Sequence, residues 1–294
     1  MFNLIEFTDQ FKDEKECKDY LASARWGDEP VCQHCGNIGA YKITSRGIYK
    51  CKACRKQFTE RMGTIFEESR LPLRKWFMAI YIFSSLKKGI SSVQVAKYVG
   101  VTQKTAWFML QRIRYAMGND SFDFPDDSDI GLDETYMGGK KKGGKRGRGS
   151  DNKTPVFGIV AKKGKAKAIV IENISRKQTE PLIEAYVKKG ERIMTDEFHL
   201  YKNLTELGYK HETVAHGKKE WVRGDITINH VESIWSHLKR GIYAIYLQVS
   251  RKHLQKYCDE FMYRHNSREM SDFERFEKWF GFCAGRLTYK KLIS

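Results

Sequence analysis

Apolar residues repeat every three or four positions over Leu73–Tyr81, and this spacing predicts an amphipathic helix with Pro72 in its first turn. The same periodicity predicts two further helices, over residues 91–99 and 103–117, joined by a short turn that contains Gly100. This part of the chain is therefore expected to be a helical domain. The side chains expected to cap its last two helices are Ser91 and Thr102.

The periodicity changes to that of strands after residue 129. A helical segment over residues 179–188 separates the third predicted strand from the fourth, and further helical segments follow. This order of elements is typical of a mixed α/β sheet with flanking helices. The four predicted strands are Ile130–Asp133, Pro155–Ala161, Ala166–Glu172 and Arg192–Asp196.

A later helix, predicted over residues 229–240, carries both an apolar stripe and a polar face. Glu232 and Lys239 are seven residues apart and therefore share a face outside the stripe. Asn229 precedes Glu232 by three residues, which is the spacing of a capping box, so a purely structural role for Glu232 stays open. The apolar stripe consists of Val231, Ile234, Trp235, Leu238 and Ile242.

The composition is that of an ordinary globular protein with a large excess of positive charge. The 294 residues include 53 Lys and Arg against 36 Asp and Glu, and only 5 Pro, which excludes collagen-like and wholly disordered chains. The formal net charge of +17 favours a polyanionic partner. Residues 76–83, the longest apolar run, fall short of the roughly 20 residues that span a membrane. The first 25 residues show no secretory-signal pattern, so we expect a cytoplasmic, nucleoid-associated protein with no membrane partner.

The positive charge is concentrated in the predicted helical domain. Residues 70–118 contain nine Lys and Arg and no acidic residue, which favours DNA binding over a solvated basic face on a three-helix packing unit. The last helix is expected to expose the side chains that reach phosphates and base edges. These are Gln103, Lys104, Gln111, Arg112 and Arg114.

Two charged segments interrupt the predicted elements. Acidic residues cluster over residues 120–134 together with Pro125, so residues 119–128 are expected to be a linker. Residues 140–153 are rich in Gly, Lys and Arg, and we expect a loop between two strands that contacts the DNA backbone with little sequence preference. The loop residues expected to bind DNA are Lys140, Lys141, Lys142, Lys145, Arg146 and Arg148.

Four of the seven cysteines form two pairs with two residues between the members of each pair. This spacing lets both thiolates of a pair point into one tetrahedral site, and two such pairs complete the shell of a structural Zn²⁺. Residues 25–62 are therefore expected to form a zinc ribbon, with His34 as a bystander; four unligated thiols are the alternative. The predicted zinc ligands are Cys32, Cys35, Cys51 and Cys54.

Two of the predicted strands end in a carboxylate, Asp133 and Asp196. A single Asp in such a position is commonly a turn or helix-cap residue, and that interpretation stays open for each residue taken alone. Glu232 on the later helix would add a third carboxylate. Hard carboxylate oxygens are the ligands that Mg²⁺ prefers, so the three acids together are candidates for a metal-dependent site.

These motifs, in this order, resemble the bacterial insertion-sequence transposases that carry an ISXO2-like DDE domain. The three acids lie in the motifs LDETYMGGK, TDEFHLYKNL and NHVESIWSHLKRGI. The similarity extends to GTIFEESRLPLRKWFMAI, GISSVQVAKYVGVTQKTAW and RKHLQKYCDEFMYRHNSR, so it spans nearly the whole chain.

The resemblance implies a ribonuclease-H-like catalytic domain whose acidic triad is Asp133, Asp196 and Glu232. Lys239 is implied as the basic residue that accompanies the glutamate, and Asn229 as an alternative or additional participant. The implied cofactors are two catalytic divalent cations, Mg²⁺ or Mn²⁺, beside the structural Zn²⁺. The expected domains are a helical lead over 1–24, a zinc ribbon over 25–62, a helix-turn-helix domain over 70–118, a linker over 119–128 and a catalytic domain over 129–285.

The function implied by the resemblance is DNA transposition. The protein would bind the terminal inverted repeats of its element on double-stranded DNA, cleave the ends and join them to target DNA, acting as a homo-oligomer on the DNA. Two other interpretations stay open. One is a DNA-binding regulator with a catalytically silent α/β domain, and the other is a ribonuclease-H-like nuclease or resolvase without strand transfer.

Overall fold

A computed structural model describes residues 3–120, 124–126, 128–138, 153–162, 164–215 and 222–294 of the chain. The chain divides into two compact units, one of residues 1–120 with 269–294 and one of residues 121–268. None of the helices in the described ranges is long and apolar enough to cross a membrane.

The first unit begins with two helices and a small antiparallel sheet. The sheet has the strand order β1-β2-β3, and its buried face carries Tyr49 and Phe58, which pack against Trp26. Three helices follow the sheet. The elements are α1 (Leu4–Gln10), α2 (Glu14–Trp26), β1 (Ala40–Ile43), β2 (Ile48–Cys51), β3 (Gln57–Phe58), α3 (Leu73–Ser85), α4 (Ser92–Val99) and α5 (Gln103–Met117).

The two caps expected for α4 and α5 are present. Ser91 Oγ accepts a hydrogen bond of 3.3 Å from the backbone N–H of Gln94, and Thr102 Oγ1 accepts one of 3.2 Å from that of Thr105. Gly100 ends α4 in the left-handed conformation at φ 65°, which a residue with a side chain rarely adopts. The turn between α4 and α5 is therefore as short as the sequence indicates.

The second unit is built on a five-stranded mixed sheet. Its strand order is β6-β5-β4-β7-β8, with antiparallel pairing among β4, β5 and β6 and parallel pairing of β4 with β7 and of β7 with β8. The predicted mixed α/β sheet with flanking helices is thus confirmed. The elements are β4 (Ile130–Met137), β5 (Thr154–Ala161), β6 (Ala166–Val170), α6 (Arg176–Tyr186), β7 (Arg192–Asp196), a 3₁₀ helix (His199–Tyr201), β8 (Lys210–Val214), α7 (Asn229–Gly241), a π-helix (Ile242–Tyr246) and α8 (Arg251–Asn266).

Side chains alternate between the two faces along each strand, and both faces of this sheet carry apolar side chains that helices cover. On one face, Ile130 and Leu132 of β4 belong to the core that contains Ile183 of α6. On the other face, Met137 of β4 belongs to the core that contains Val231 of α7 and residues of α8. Odd-numbered residues of β4 therefore point toward α7.

Strand β4 is longer than the sequence analysis expected. It continues past Asp133 because Glu134–Met137 pair with residues 154–157 of β5. Asp133 consequently lies in the middle of its strand, and the expectation that it ends a strand is wrong. Asp196 does end its strand.

The last 26 residues return to the first unit and form α9 (Asp272–Phe280) and α10 (Tyr289–Ile293). The ring centroid of Phe276 lies 5.5 Å from that of Phe7 and 5.9 Å from that of Phe77, within a cluster of aromatic side chains. Residues 269–285, which the sequence analysis assigned to the catalytic domain, thus belong to the first unit.

Candidate active site and metal centre

The four predicted zinc ligands meet at one point. Their sulfur atoms all lie within 4.8 Å of one another, and the Cys32–Cys54 and Cys35–Cys51 sulfur pairs are each 3.7 Å apart. A tetrahedron with Zn–S bonds of about 2.3 Å has edges of about 3.8 Å, so the spacing fits a four-sulfur Zn²⁺ site.

Local backbone geometry builds each half of this site. The backbone N–H of His34 donates to Cys32 Sγ over 3.4 Å, and that of Cys54 donates to Cys51 Sγ over the same distance. The imidazole of His34 lies 3.0 Å from the carbonyl oxygen of Gln57 and outside the sulfur cluster. His34 is therefore a bystander, as expected.

The first two carboxylates of the second unit lie on neighbouring parallel strands. The registers Ile130↔Ile193 and Gly131↔Met194 have the same offset as Asp133 and Asp196, so the two acids are level with each other. Neighbouring strands are about 4.8 Å apart, and both acids lie on the face that α7 covers. The backbone N–H of Phe198 donates to Asp196 Oδ1 over 3.0 Å and orients that carboxylate.

Helix α7, which bears Glu232 and Lys239, contacts Asp133 through Trp235. The indole Nε1 of Trp235 donates a hydrogen bond of 2.9 Å to Asp133 Oδ2. Glu232 precedes Trp235 by three residues and Lys239 follows it by four, so both flank the indole on the helix surface. Trp235 is buried, Lys239 is half-buried and Glu232 is exposed, so the two charged residues border the part of α7 that contacts Asp133.

Burial and neighbouring charges shift the pKa values of Asp133 and Lys239. Burial, and then the charges of Glu134 and Asp196, raise the pKa of Asp133 to about 7. Burial lowers the pKa of Lys239, while the charge of Asp133 opposes that shift. Packing carboxylates together is costly unless a cation compensates them, so this donor set suits divalent metal ions.

The capping box that would have made Glu232 purely structural is not formed. Helix α7 begins at Asn229, and its N-cap residue, Ile228, provides no side-chain hydrogen bond. Instead, Thr227 Oγ1 accepts a hydrogen bond of 3.2 Å from the backbone N–H of Asn229. Both Asn229 and Glu232 are exposed on the first turn of the helix.

Sequence reasoning missed two contributors to this site. The periodicity predicts Trp235 only as part of the apolar stripe, whereas its indole N–H donates a hydrogen bond to Asp133. Glu134 was not singled out; it points to the opposite face of β4, is buried, and accepts a hydrogen bond of 2.9 Å from the Tyr201 hydroxyl. The motif LDET does contain the signal for Glu134, because a strand that is buried on both faces must satisfy two adjacent acids on opposite sides.

The predicted DNA-binding side chains of α5 fall into two groups. Gln103 and Lys104 are exposed at the start of the helix. The expectation that Gln111, Arg112 and Arg114 are exposed is wrong, because all three are buried.

Contacts with distant segments of the first unit account for the burial of the two arginines. Arg112 Nε donates to the carbonyl oxygen of Leu287 over 2.9 Å, and its Nη1 donates to that of Ile65 over 2.7 Å. The guanidinium of Arg114 lies 5.3 Å from the ring centroid of Phe83. These arginines stabilise the first unit and cannot reach DNA. The predicted loop residues Lys140, Lys141, Lys142, Lys145, Arg146 and Arg148 lie outside the described residues.

Comparison with known proteins agrees with this arrangement. A family model described as "ISXO2-like transposase domain" matches residues 128–266, and one described as "Transposase zinc-ribbon domain" matches residues 12–57. The chain is 30% identical over 281 residues to "Uncharacterized protein in transposable element ISH50" of Halobacterium salinarum, covering 86% of this chain and 91% of that protein.

The zinc ribbon and the acid-bearing α/β domain thus define an insertion-sequence transposase. The chain belongs to the family with an ISXO2-like DDE transposase domain.

Proposed function

We propose that this protein binds the terminal inverted repeats of its insertion sequence, cleaves the ends and joins them to target DNA by two-metal chemistry. The observation that supports the proposal is that Asp133 lies level with Asp196, while Trp235 of α7, the helix that also bears Glu232 and Lys239, donates a hydrogen bond to Asp133. We assign the second unit a ribonuclease-H-like fold. Its mixed five-stranded sheet with helices on both faces supports that assignment.

The three acids would hold the metal ions. Asp133 and Asp196, together with Glu232, would hold two ions, and the exposed Asn229 side chain would be the alternative or additional ligand beside Glu232. When bound, such a pair of Mg²⁺ or Mn²⁺ ions activates a water or 3′-hydroxyl and stabilises the leaving oxygen during in-line attack on a phosphodiester. Lys239, on the same helix face, would contact a phosphate of the transposon end.

The first unit would supply DNA binding. Gln103 and Lys104 stand at the start of α5, the part of a recognition helix that enters a major groove in helix-turn-helix proteins. The ribbon adds exposed basic residues, and residues 30–59 contain no acid that would offset their charge. The loop over residues 140–153 would contact the DNA backbone. Paired ends require at least two copies of the chain on the DNA.

The test is an end-cleavage and joining assay on DNA that carries the element's own terminal repeat. We expect nicking and strand transfer with Mg²⁺ and none without a divalent ion. Asp196→Asn and Glu232→Gln should both lose more than about 100-fold in rate, because each removes a charged metal ligand. Glu206→Gln, at an exposed acid of the same unit, is the matched control and should keep wild-type activity.

Each other result selects a different function. Full activity of Glu232→Gln alone would assign the third position to Asn229 or another group. Cleavage without joining would identify a nuclease or resolvase. Specific binding to the repeat without any cleavage would identify a regulator and contradict the proposal.

A further inference from the structure

The two aspartates of the candidate site are oriented by different means. Asp196 is held by a backbone N–H only two residues away, that of Phe198. Asp133 is held by the side chain of Trp235, which lies 102 residues away along the chain and is only 5% exposed. The orientation of the first carboxylate therefore depends on how closely α7 packs against the sheet.

Gly158 makes that close packing feasible. It lies opposite Asp133 in the register between β4 and β5. A Cβ atom at this position would lie 2.4 Å from Cζ2 and 2.6 Å from Cη2 of the Trp235 ring, which is closer than real atoms approach. An alanine at residue 158 would have to displace the indole that reaches Asp133.

The chemistry of the donor suits a positioning role. An indole N–H donates one hydrogen bond and cannot accept one, so it recognises the carboxylate without competing as a metal ligand. It also has no acid–base equilibrium near neutral pH, so the donor keeps its proton at every pH where the enzyme would work. Groups that hydrogen-bond metal ligands in this way fix the ligand orientation, and their loss typically costs about 10–100-fold in metal affinity or activity.

We propose that Trp235 is a positioning residue that holds Asp133 Oδ2 and thereby sets the carboxylate for divalent-metal binding, with Gly158 as the position that admits the indole. This inference rests on the proposed function, because it assumes that Asp133 is a metal ligand. It adds two residues, one from β5 and one from the apolar stripe of α7, to the three acids.

The first test measures Mn²⁺ binding to the zinc-loaded full chain by the loss of the free-ion electron paramagnetic resonance signal. Trp235→Phe removes the donor and keeps an aromatic ring, and we expect Mn²⁺ affinity to fall at least tenfold. Trp279→Phe is the matched control. Trp279 is also buried, and among the described residues its indole N–H has no hydrogen-bond partner, so Mn²⁺ affinity should not change.

A second test needs no metal. Gly158→Ala should lower the melting temperature of the second unit because the new methyl group meets the outer ring atoms of Trp235. Phe lacks those outer atoms, so Gly158→Ala should cost much less in a Trp235→Phe background. Such a rescue requires that the indole occupies this position, and a general packing defect would instead make the two losses add.

An Asp133→Asn arm separates the inference from the proposed function. If Asp133→Asn abolishes Mn²⁺ binding while Trp235→Phe binds like the wild type, the positioning role is wrong and the metal site stands. If Asp133→Asn also binds Mn²⁺ like the wild type, the proposed metal site is wrong, and the positioning role of Trp235 is wrong as well. Additive losses in the melting experiment would likewise overturn the assignment of Gly158.

Discussion

The cysteine site and the carboxylate site of this chain both bring together side chains of kinds that bind metal ions, but they are built in opposite ways. The four cysteines come from two short turns within 23 residues and use soft sulfur ligands in a closed shell. The acids come from the centre of β4, the end of β7 and the first turn of α7, so about 100 residues separate the first acid from the last. One site holds its own domain together, whereas the other depends on a domain already folded around it.

This difference implies opposite effects on stability. A small ribbon lacks a core of its own, so metal binding at the cysteines provides folding free energy. The carboxylates are forced together by the fold, so without metal they oppose it. Removing a ligand should therefore unfold one region and stabilise the other.

The largest effect is expected at the ribbon. Cys51→Ser should abolish zinc binding and unfold residues 25–62, because structural zinc contributes on the order of 10 kcal/mol to such modules. Zinc content and amide hydrogen exchange would measure both losses. Cys258→Ser, at a buried cysteine of the second unit, is the control and should keep its zinc. A folded, zinc-containing Cys51→Ser protein would show that the two sites do not differ as argued.

The second prediction is a gain in folding stability, at the carboxylate site. The pKa of Asp133 is raised to about 7 in the folded chain, by burial and by the charges of Glu134 and Asp196, from 3.8 in the unfolded one. The folded state therefore binds the proton more tightly, and the wild type loses stability as the pH rises from about 4 through 7. Asp133→Asn escapes this loss, so it should be more stable by up to about 4 kcal/mol at pH 8 without added divalent metal.

Thermal unfolding at pH 8 and at pH 4 would measure this effect. The gain should nearly vanish at pH 4, where the wild-type carboxyl is protonated, and Glu206→Gln should show no comparable change. A destabilised Asp133→Asn at pH 8 would mean that the acid serves the fold, as the cysteines do.

The smallest effects sharpen the same contrast within helix α5. Arg112→Ala should cost about 3 kcal/mol of stability, because it leaves several buried carbonyl groups without their charged donor.

Lys104→Ala, at the exposed start of the helix, should change stability by less than about 0.5 kcal/mol. It should instead weaken DNA binding by on the order of 1 kcal/mol and reduce the salt slope by about 1. Urea unfolding would measure the effect on stability, and DNA titrations at several salt concentrations would measure the effect on binding. Equal effects of the two substitutions on DNA binding would contradict the assignment of Arg112 to the fold and Lys104 to the DNA.

The parts of the structure that local sequence determines could be predicted. The spacing of the cysteines gave all four sulfur ligands, and hydroxyl residues at helix starts gave the caps of α4 and α5. Alternating periodicity predicted four strands of the mixed sheet, β4 to β7, but not the fifth, β8 (Lys210–Val214). The two cysteines of each pair, and each cap and the N–H that it accepts from, lie within three positions of one another, so their spacing contains the local geometry.

The parts that depend on distant segments could not be predicted. Arg112 is buried against the C-terminal segment, which follows it by more than 150 residues in the chain. The helical pattern alone predicts that a basic residue such as Arg112 is exposed, because it contains no information about the segment that packs on it. Trp235 similarly reads as core from its stripe, because only the packing of α7 on β4 and β5 shows that its N–H reaches Asp133.

The central claim is that Asp133, Asp196 and Glu232 together hold the catalytic metal ions. The most direct test replaces Mg²⁺ with Fe²⁺ and generates hydroxyl radicals with ascorbate and peroxide, so that the chain is cut beside the bound ion. The cut sites are then mapped by mass spectrometry. We predict cuts close to all three acids, near residues 133, 196 and 232, that disappear in Asp133→Asn. Cuts that lie elsewhere in the second unit, or that persist unchanged in Asp133→Asn, would contradict the account.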